Sequence, residues 1–231
     1  TELYTYLRDR VEDETSKHGK RQSPSMFSLS RHDKGQYIFL HPRHPLNLPP
    51  IPRHNPFMGL KSYDEADTLL FFGRDRVITA LDKLAETHSF VVVSGASGTG
   101  KSSVIKAGLL PLLRKKGWQI LPVVRPGKEP MESLRAEIPD LAGQLSETTP
   151  SLLMIDQYEE LITQCLDADE RLAFEEQLDS WMDNYPQLRI VISSRSDFEP
   201  QFEQATLAGR WQQGHYVAPA FSQDELREVV F

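Results

Sequence analysis

Between residues 90 and 218, short apolar runs alternate with longer stretches in which apolar positions return every three or four residues. The runs are Phe90–Ser94 (FVVVS), Trp118–Val124 (WQILPVV), Leu152–Asp156 (LLMID), Leu188–Ser193 (LRIVIS) and Tyr216–Ala218 (YVA). Rich in β-branched residues and leucine, they predict five strands, and the stretches between successive runs predict helices. Strand and helix in alternation fold into a parallel sheet covered by helices on both faces. Near-continuous apolar runs are what strands buried on both sides require. The expected fold class is α/β, a three-layer α/β/α sandwich around a five-stranded parallel sheet. Ligand chemistry should gather beyond the C-terminal ends of its strands.

The first 56 residues break this pattern. They predict a helix over Leu3–Glu14, a polar loop over Thr15–Ser25 and one strand, GQYIFL, at Gly35–Leu40. A helix and a lone strand bury too little to fold alone and need a parent sheet. From His41 to Pro56, six of the chain's sixteen prolines fall within sixteen residues. Each removes a backbone donor and fixes φ, so this stretch is expected to be an extended linker. The organisation read from the sequence is thus a short helix–strand segment over 1–40, a linker over 41–56 and the α/β domain over 57–231. Residues 1–56 carry nine basic and six acidic residues, net +3, against seventeen and twenty-seven, net −10, for the remainder. The two parts therefore read as having different origins. His41, His44 and His54 lie in the linker without acidic or cysteine partners nearby, which argues against a metal site.

Composition narrows the function classes. With 231 residues and 39% apolar content the chain can build a sizeable core, which excludes a disordered or fibrous protein. A net charge of −7 excludes a dominant electrostatic hold on nucleic acid or anionic lipid. One cysteine, Cys165, rules out an internal disulfide framework and fits a reducing, cytoplasmic setting. The apolar runs are far shorter than the roughly 20 residues needed to cross a bilayer, and TELYTYLRDR at the start has no signal-peptide core. The chain starts at Thr1 and stops inside the helical pattern DELREVVF, so it reads as a piece of a longer protein.

The first strand runs straight into Gly95-Ala96-Ser97-Gly98-Thr99-Gly100-Lys101-Ser102, which fits G-x-x-x-x-G-K-[ST] and is followed by the helical stretch Ser103–Leu110. This is a P-loop in its proper strand-to-helix context. Glycines let the backbone wrap a phosphate with its N–H groups inward, and the helix presents its positive N-terminus to that charge. Residues 95–103 are the expected phosphate contacts. Lys101 would reach the β and γ phosphates, and Ser102 would complete a Mg²⁺ shell.

Four apolar residues lead into Asp156, followed by Glu159 and Glu160. A carboxylate at the end of a buried strand is costly unless a cation compensates it, and Mg²⁺ beside a P-loop is such a cation. Asp156 is therefore the expected second metal-site residue with Ser102. Glu159 or Glu160 would orient or deprotonate the attacking water. Neighbouring helical positions point about 100° apart, so only one of them can face the phosphate. The other would complement the helix dipole. At the exit of the run Leu188–Ser193 stands Arg195. In P-loop ATPases with an additional strand between the P-loop strand and the acidic strand, a polar or basic residue at that tip senses the γ-phosphate. Arg195 suits the place, and it equally suits a pair with Asp197.

Taken in order, NPFMGLKSYDEADTLLFFGRDRVITAL, VVVSGASGTGKSSVIKAGLLPLLRKKGW, VVRPGKEP, LLMIDQYEEL, VISSRSDFEPQF and VAPAFSQDELREVV resemble the motif blocks of the STAND NTPases. The similarity is to the novel STAND subgroup, whose acidic motif reads like DQFEEL, and it covers about residues 55–231. It implies an AAA+-like core and a nucleotide-controlled switch, with ADP holding a closed monomer and ATP exchange permitting homo-oligomerisation. The spacing of residues 156–160 is similar to the NACHT acidic block, which points to Glu159. In related modules an FxGR-like segment contacts adenine, and Phe71-Phe72-Gly73-Arg74 stands in that place. The same residues also suit a hydrophobic cap for a helix over Asp75–Leu84. Preference for ATP and ADP over guanine nucleotides is likewise implied by the resemblance alone. Residues 1–50, with Gln22-Ser23-Pro24 and the strand GQYIFL, resemble the end of a caspase-like peptidase domain, whose His/Cys dyad would lie upstream. The lone Cys165 follows the acidic motif and cannot be that nucleophile, so no protease activity is expected of this chain. The resemblance implies a caspase-like effector before the switch and a sensor domain after it.

Two function classes fit these readings. One is a slow Mg²⁺-dependent ATPase acting as a signalling switch. The other is a nucleotide-dependent oligomerisation scaffold that scarcely hydrolyses. A small-molecule kinase would need an acceptor site and an arginine-rich lid, and no such segment is visible.

Overall fold

The computed structural model describes residues 2–19, 61–146, 148–203 and 205–230. The chain divides into two units, Thr1–Ile51 and Pro52–Phe231. In the first, one helix, α1, spans Glu2–Lys17, three residues further than the sequence pattern marks. The extra turn is held by the Thr15 hydroxyl, which donates to the Val11 carbonyl at 2.7 Å, and by a Lys17–Glu14 ion pair. The strand expected over 35–40, the Gln22-Ser23-Pro24 loop and the whole proline-rich linker over 41–56 with its three histidines lie outside the described residues.

In the second unit a 3₁₀ turn at Glu65–Leu70 leads to α2 (Asp75–Thr87) and β1 (Phe90–Gly95). The helix after the P-loop has three parts: α3 (Lys101–Ser103), a wider π turn (Val104–Leu109) and α4 (Leu110–Lys115). Then follow β2 (Gln119–Ile120), α5 (Pro130–Glu137), α6 (Leu141–Gln144), β3 (Ser151–Ile155), α7 (Glu160–Thr163) and α8 (Ala168–Asn184). The chain continues through β4 (Leu188–Arg195), a 3₁₀ turn (Ser196–Phe198), α9 (Glu199–Phe202), α10 (Ala208–Gln213), β5 (His215–Val217) and α11 (Gln223–Val230). The five strands form one parallel sheet in the order β2-β3-β4-β1-β5. The expected α/β class and the strand inserted between β1 and β3 are both present.

The sheet separates two apolar clusters. Successive side chains in a strand point to opposite faces. Phe90 and Val92 of β1, Leu153 and Ile155 of β3, and Ile190 and Ile192 of β4 join one cluster with Phe174 and Leu178 of α8 and Trp211 of α10. Val91 and Val93, Leu152 and Met154, and Val191 join the other, with Val77 and Leu81 of α2 and with Ile105, Leu109 and Leu113 behind the P-loop. Burial on both faces is why these strands read as unbroken apolar runs. On the second face, α2 and the π turn pack so closely that a Cβ on Gly108 would meet Ile78 at 2.6 Å.

Two differences from the sequence expectation have local causes. The run Trp118–Val124 is not one strand: β2 covers two residues, and pairing resumes only at the Val124–Ile155 bridge. Pro122 sits between them and has no N–H for the ladder. The second difference is the π turn. Pro111 cannot donate to the Ala107 carbonyl, and its ring crowds that oxygen, so the preceding turn widens.

Candidate functional site

The loops after β1, β3 and β4 meet at one end of the sheet, around a cleft of about 770 Å³. That volume lies in the range of small-ligand and cofactor sites. Gly98 and Gly100 adopt φ of 80° and 83°, a left-handed backbone that a side chain would strain, and Gly100 caps the helix that starts at Lys101. Lys101 is buried beneath the loop, its Nζ donating to the carbonyls of Gly95 at 3.0 Å and Ala96 at 2.9 Å. Burial pushes its ammonium below the usual lysine range, and the nearby Glu159 carboxylate partly offsets this. Ser97, Gly98, Gly100, Lys101, Ser102 and Ser103 border the cleft. Thr99 bridges back to the Ala96 carbonyl through its hydroxyl, and Ser103 accepts the Tyr63 N–H.

Asp156, just beyond β3, is fully buried and carries four partners. The hydroxyls of Ser102 and Ser193 donate to Oδ1 at 2.6 and 2.7 Å. Lys106 Nζ lies 2.8 Å and Arg125 Nη2 3.2 Å from Oδ2. Burial alone would raise this carboxyl, but Lys106 and the two hydroxyls outweigh it and hold it below the usual carboxylate range. The neighbouring Gln157 has φ of 59°, rare for a residue with a side chain. Its N–H donates to Ser193 Oγ at 2.9 Å, and the Tyr158 N–H donates to the Ser193 carbonyl at 2.8 Å. Tyr158 then turns into the core. Its hydroxyl donates to Glu175 Oε1 at 3.0 Å, and Glu175 Oε2 accepts the Thr206 N–H at 3.2 Å. The loop that bears Asp156 is thus fixed to β4 on one side and to α8 on the other.

The two glutamates part here. Glu159 borders the cleft, with Oε2 accepting the Arg195 N–H at 3.3 Å, and burial raises its carboxyl above the usual range. Glu160 points elsewhere and accepts the Gly127 N–H at 3.1 Å. Arg195 borders the cleft through β4, but its guanidinium pairs with Asp197, Nε to Oδ1 at 3.1 Å, and lies over the Phe198 ring. Phe72 is 53% exposed and does not border the cleft; Phe71 does. The offset is one residue: Phe71 turns inward against Gly108 and Tyr63. Gly73 follows with φ of 77°. Arg74 is buried, donates to the Thr99 carbonyl at 3.0 Å and stacks 3.6 Å from the Phe221 ring centroid.

Lys106, Arg125, Gln157, Ser193 and Phe221 were not among the expected site residues. Lys106 carried a readable signal: it follows Ser102 by four positions, hence on the same helix face, inside the apolar run VIKAGLL. Arg125 likewise stands just past an apolar run, where the other site residues stand. Phe221 and Gln157 had no such signal.

The arrangement offers an anion cradle beside hard oxygen donors. The Ser102 hydroxyl and Asp156 carboxylate suit Mg²⁺, which keeps several water or phosphate ligands. Among the described residues no cluster of three or more His, Cys, Asp or Glu could hold a metal, so the protein would supply only part of such a shell.

Residues 56–231 match the family described as Novel STAND NTPase 1. No curated protein matches the chain. Among solved structures it is similar to the Walker-type ATPase paby2304 of Pyrococcus abyssi, with 14% identity, TM-score 0.51, and 71% of this chain and 57% of that one covered. It is also similar to the Aeropyrum pernix ORC2 protein in its ADPNP–ADP complexes (12%, TM-score 0.47, 66% and 49%). A third is AMPPCP-bound DnaA from Aquifex aeolicus (13%, TM-score 0.44, 68% and 50%). The chain spans about half the length of these structures, and at such identities the likeness is one of fold.

Proposed function

The chain belongs to the Novel STAND NTPase 1 family, and from that premise we propose that it binds ATP with Mg²⁺, hydrolyses it slowly and works as a signalling switch. The observation that carries the reading is the contact between the P-loop serine and the buried acid: Ser102, which borders the cleft with Lys101, donates through Oγ to Asp156 Oδ1 at 2.6 Å. In this reading the backbone over 95–103 and Lys101 hold the phosphates, and Ser102 and Asp156 hold the metal. Mg²⁺ bound there supplies charge neutralisation for the phosphate oxygens. Glu159, with its carboxyl raised by burial, orients the attacking water and takes its proton. Glu160, tied to Gly127, keeps the neighbouring loop in place. Arg74 and Phe71 border the base, and Arg195 senses the γ-phosphate after leaving Asp197.

The reading extends to the longer protein: nucleotide state sets self-association, and self-association controls a caspase-like effector to which residues 1–40 belong. A second reading, a scaffold with negligible hydrolysis, is favoured by one detail. Glu159 is engaged by the Arg195 N–H while the Arg195 side chain is held by Asp197.

The test is a thermal-shift series with ATP, ADP and GTP, each with and without Mg²⁺, on the wild type and Lys101→Ala. Binding at 100 times Kd stabilises by about 2.7 kcal/mol, a readily measured shift. Adenine nucleotides should raise the wild-type melting temperature and leave Lys101→Ala unmoved. No shift with any nucleotide at millimolar concentration overturns the proposal.

A further inference from the structure

The STAND reading gives a role to Ser102 and to Asp156 but none to the ion pair that Asp156 already makes. Lys106 is about one-tenth exposed and Asp156 not at all, with Nζ and Oδ2 2.8 Å apart. The other cation on that oxygen, Arg125, is 54% exposed and 3.2 Å away, so solvent screens it. Lys106 reaches the carboxylate from the π turn that Pro111 imposes, on the helix that begins at the P-loop. Lys106 also borders two cavities, the cleft and a side cavity of about 420 Å³, both of which Arg125 lines as well.

A buried carboxylate left without a cation is costly and repels anions placed next to it. Asp156 lies behind Ser102, a residue that borders the cleft, and on the proposed function that cleft takes a chain of phosphates. A nucleotide that enters without a divalent ion would feel the charge of that carboxylate across Ser102, unless the protein neutralises it.

We infer that Lys106 is the resident counter-cation of Asp156, and that it lets the cleft hold a nucleoside polyphosphate in the absence of divalent metal. The inference rests on the proposed nucleotide site and adds a regulatory property to it. Lys106 is a positioning residue: it acts on the phosphates through the charge of Asp156. Metal-free occupancy then becomes a stable state of the switch.

The experiment measures the affinity of the whole chain for a fluorescent adenine nucleotide, once with excess Mg²⁺ and once with EDTA. The variants are wild type, Lys106→Met, Lys106→Arg and the double variant Lys106→Met/Asp156→Asn. Wild type should bind in both conditions, within about tenfold. Lys106→Met should lose about tenfold or more in EDTA and less than about threefold with Mg²⁺, from the Coulomb cost of an uncompensated charge near the phosphates. Lys106→Arg, which keeps the charge, should restore most of the EDTA affinity. The double variant removes both buried charges and should bind in EDTA within about threefold of wild type. It carries the test even if Lys106→Met fails to fold. Equal losses with and without metal in Lys106→Met, unchanged EDTA binding in that variant, or a tenfold EDTA loss in the double variant would each overturn the inference. Absence of wild-type binding with Mg²⁺ overturns instead the nucleotide site on which it rests.

Discussion

Ser193 ties two strands of the site together, and removing its hydroxyl is a sharp test of how the Asp156 loop is held. The side chain is 1% exposed, donates to Asp156 Oδ1 at 2.7 Å and accepts the Gln157 N–H at 2.9 Å. Ser193→Ala takes away a hydrogen bond to a charged group, worth about 1.5–3 kcal/mol, and leaves a backbone donor without its acceptor, at about 1–3 kcal/mol. Ser102 still donates to Asp156, and water from the cleft can reach Gln157, so the net loss should be about 2–3 kcal/mol. The matched control is Ser194→Ala. Ser194 is equally buried, but its hydroxyl's only hydrogen bond among the described contacts is a 3.5 Å approach to its neighbour's carbonyl, so the cost should stay below about 1 kcal/mol. Urea unfolding followed by the fluorescence of Trp118, Trp181 and Trp211 reads both, with equal slopes required for the comparison. If Ser193→Ala loses no more stability than Ser194→Ala, the hydroxyl does not fasten the loop.

Gln157→Gly relieves a left-handed backbone and should raise stability by about 0.5–1 kcal/mol in the same urea assay; a loss would mean that the side chain contributes more than the strain costs. Glu159→Gln should lower steady-state ATP turnover by about 100-fold or more and Glu160→Gln by less than about tenfold, measured by phosphate release; equal effects would remove the distinction drawn from the Gly127 contact. The pH dependence of stability carries a further signature. Burial raises the Glu175 carboxyl above its unfolded value. The folded state therefore holds a proton that the unfolded chain has lost, and stability falls as pH rises from the ordinary glutamate range through the raised folded value. Glu175→Gln should flatten that stretch of the profile, and an unchanged slope would refute the assignment.

Much of the fold could be read because burial on both faces leaves a plain mark. β1, β3 and β4 are near-continuous apolar runs, and each lies within two residues of its expected bounds. What escaped was polar or proline-bearing. Ser194 and Arg195 lay past the expected strand end at Ser193, yet they continue the ladder in register with Ser94 and Gly95. Pro122 interrupted a run that hydropathy alone treats as whole. At the site, the P-loop was legible because strand, glycines, lysine and helix stand in one order. The difference between Glu159 and Glu160 was indicated only by the family resemblance and not by the residues themselves, because it depends on how one turn sits against Gly127, a residue 33 positions away. The inward member of Phe71-Phe72 was likewise decided by packing on Gly108, which no local pattern encodes.

On the proposed function, one nucleotide sits on the backbone before Lys101, with its metal shared between Ser102 and Asp156. Isothermal titration of ATP with Mg²⁺ into the wild type, Lys101→Ala and Asp156→Asn tests it most directly. One site per chain is expected in the wild type, with no measurable binding in Lys101→Ala and a loss of Mg²⁺ dependence in Asp156→Asn. Wild-type binding that survives Lys101→Ala undiminished, or no heat at millimolar ATP, would contradict it.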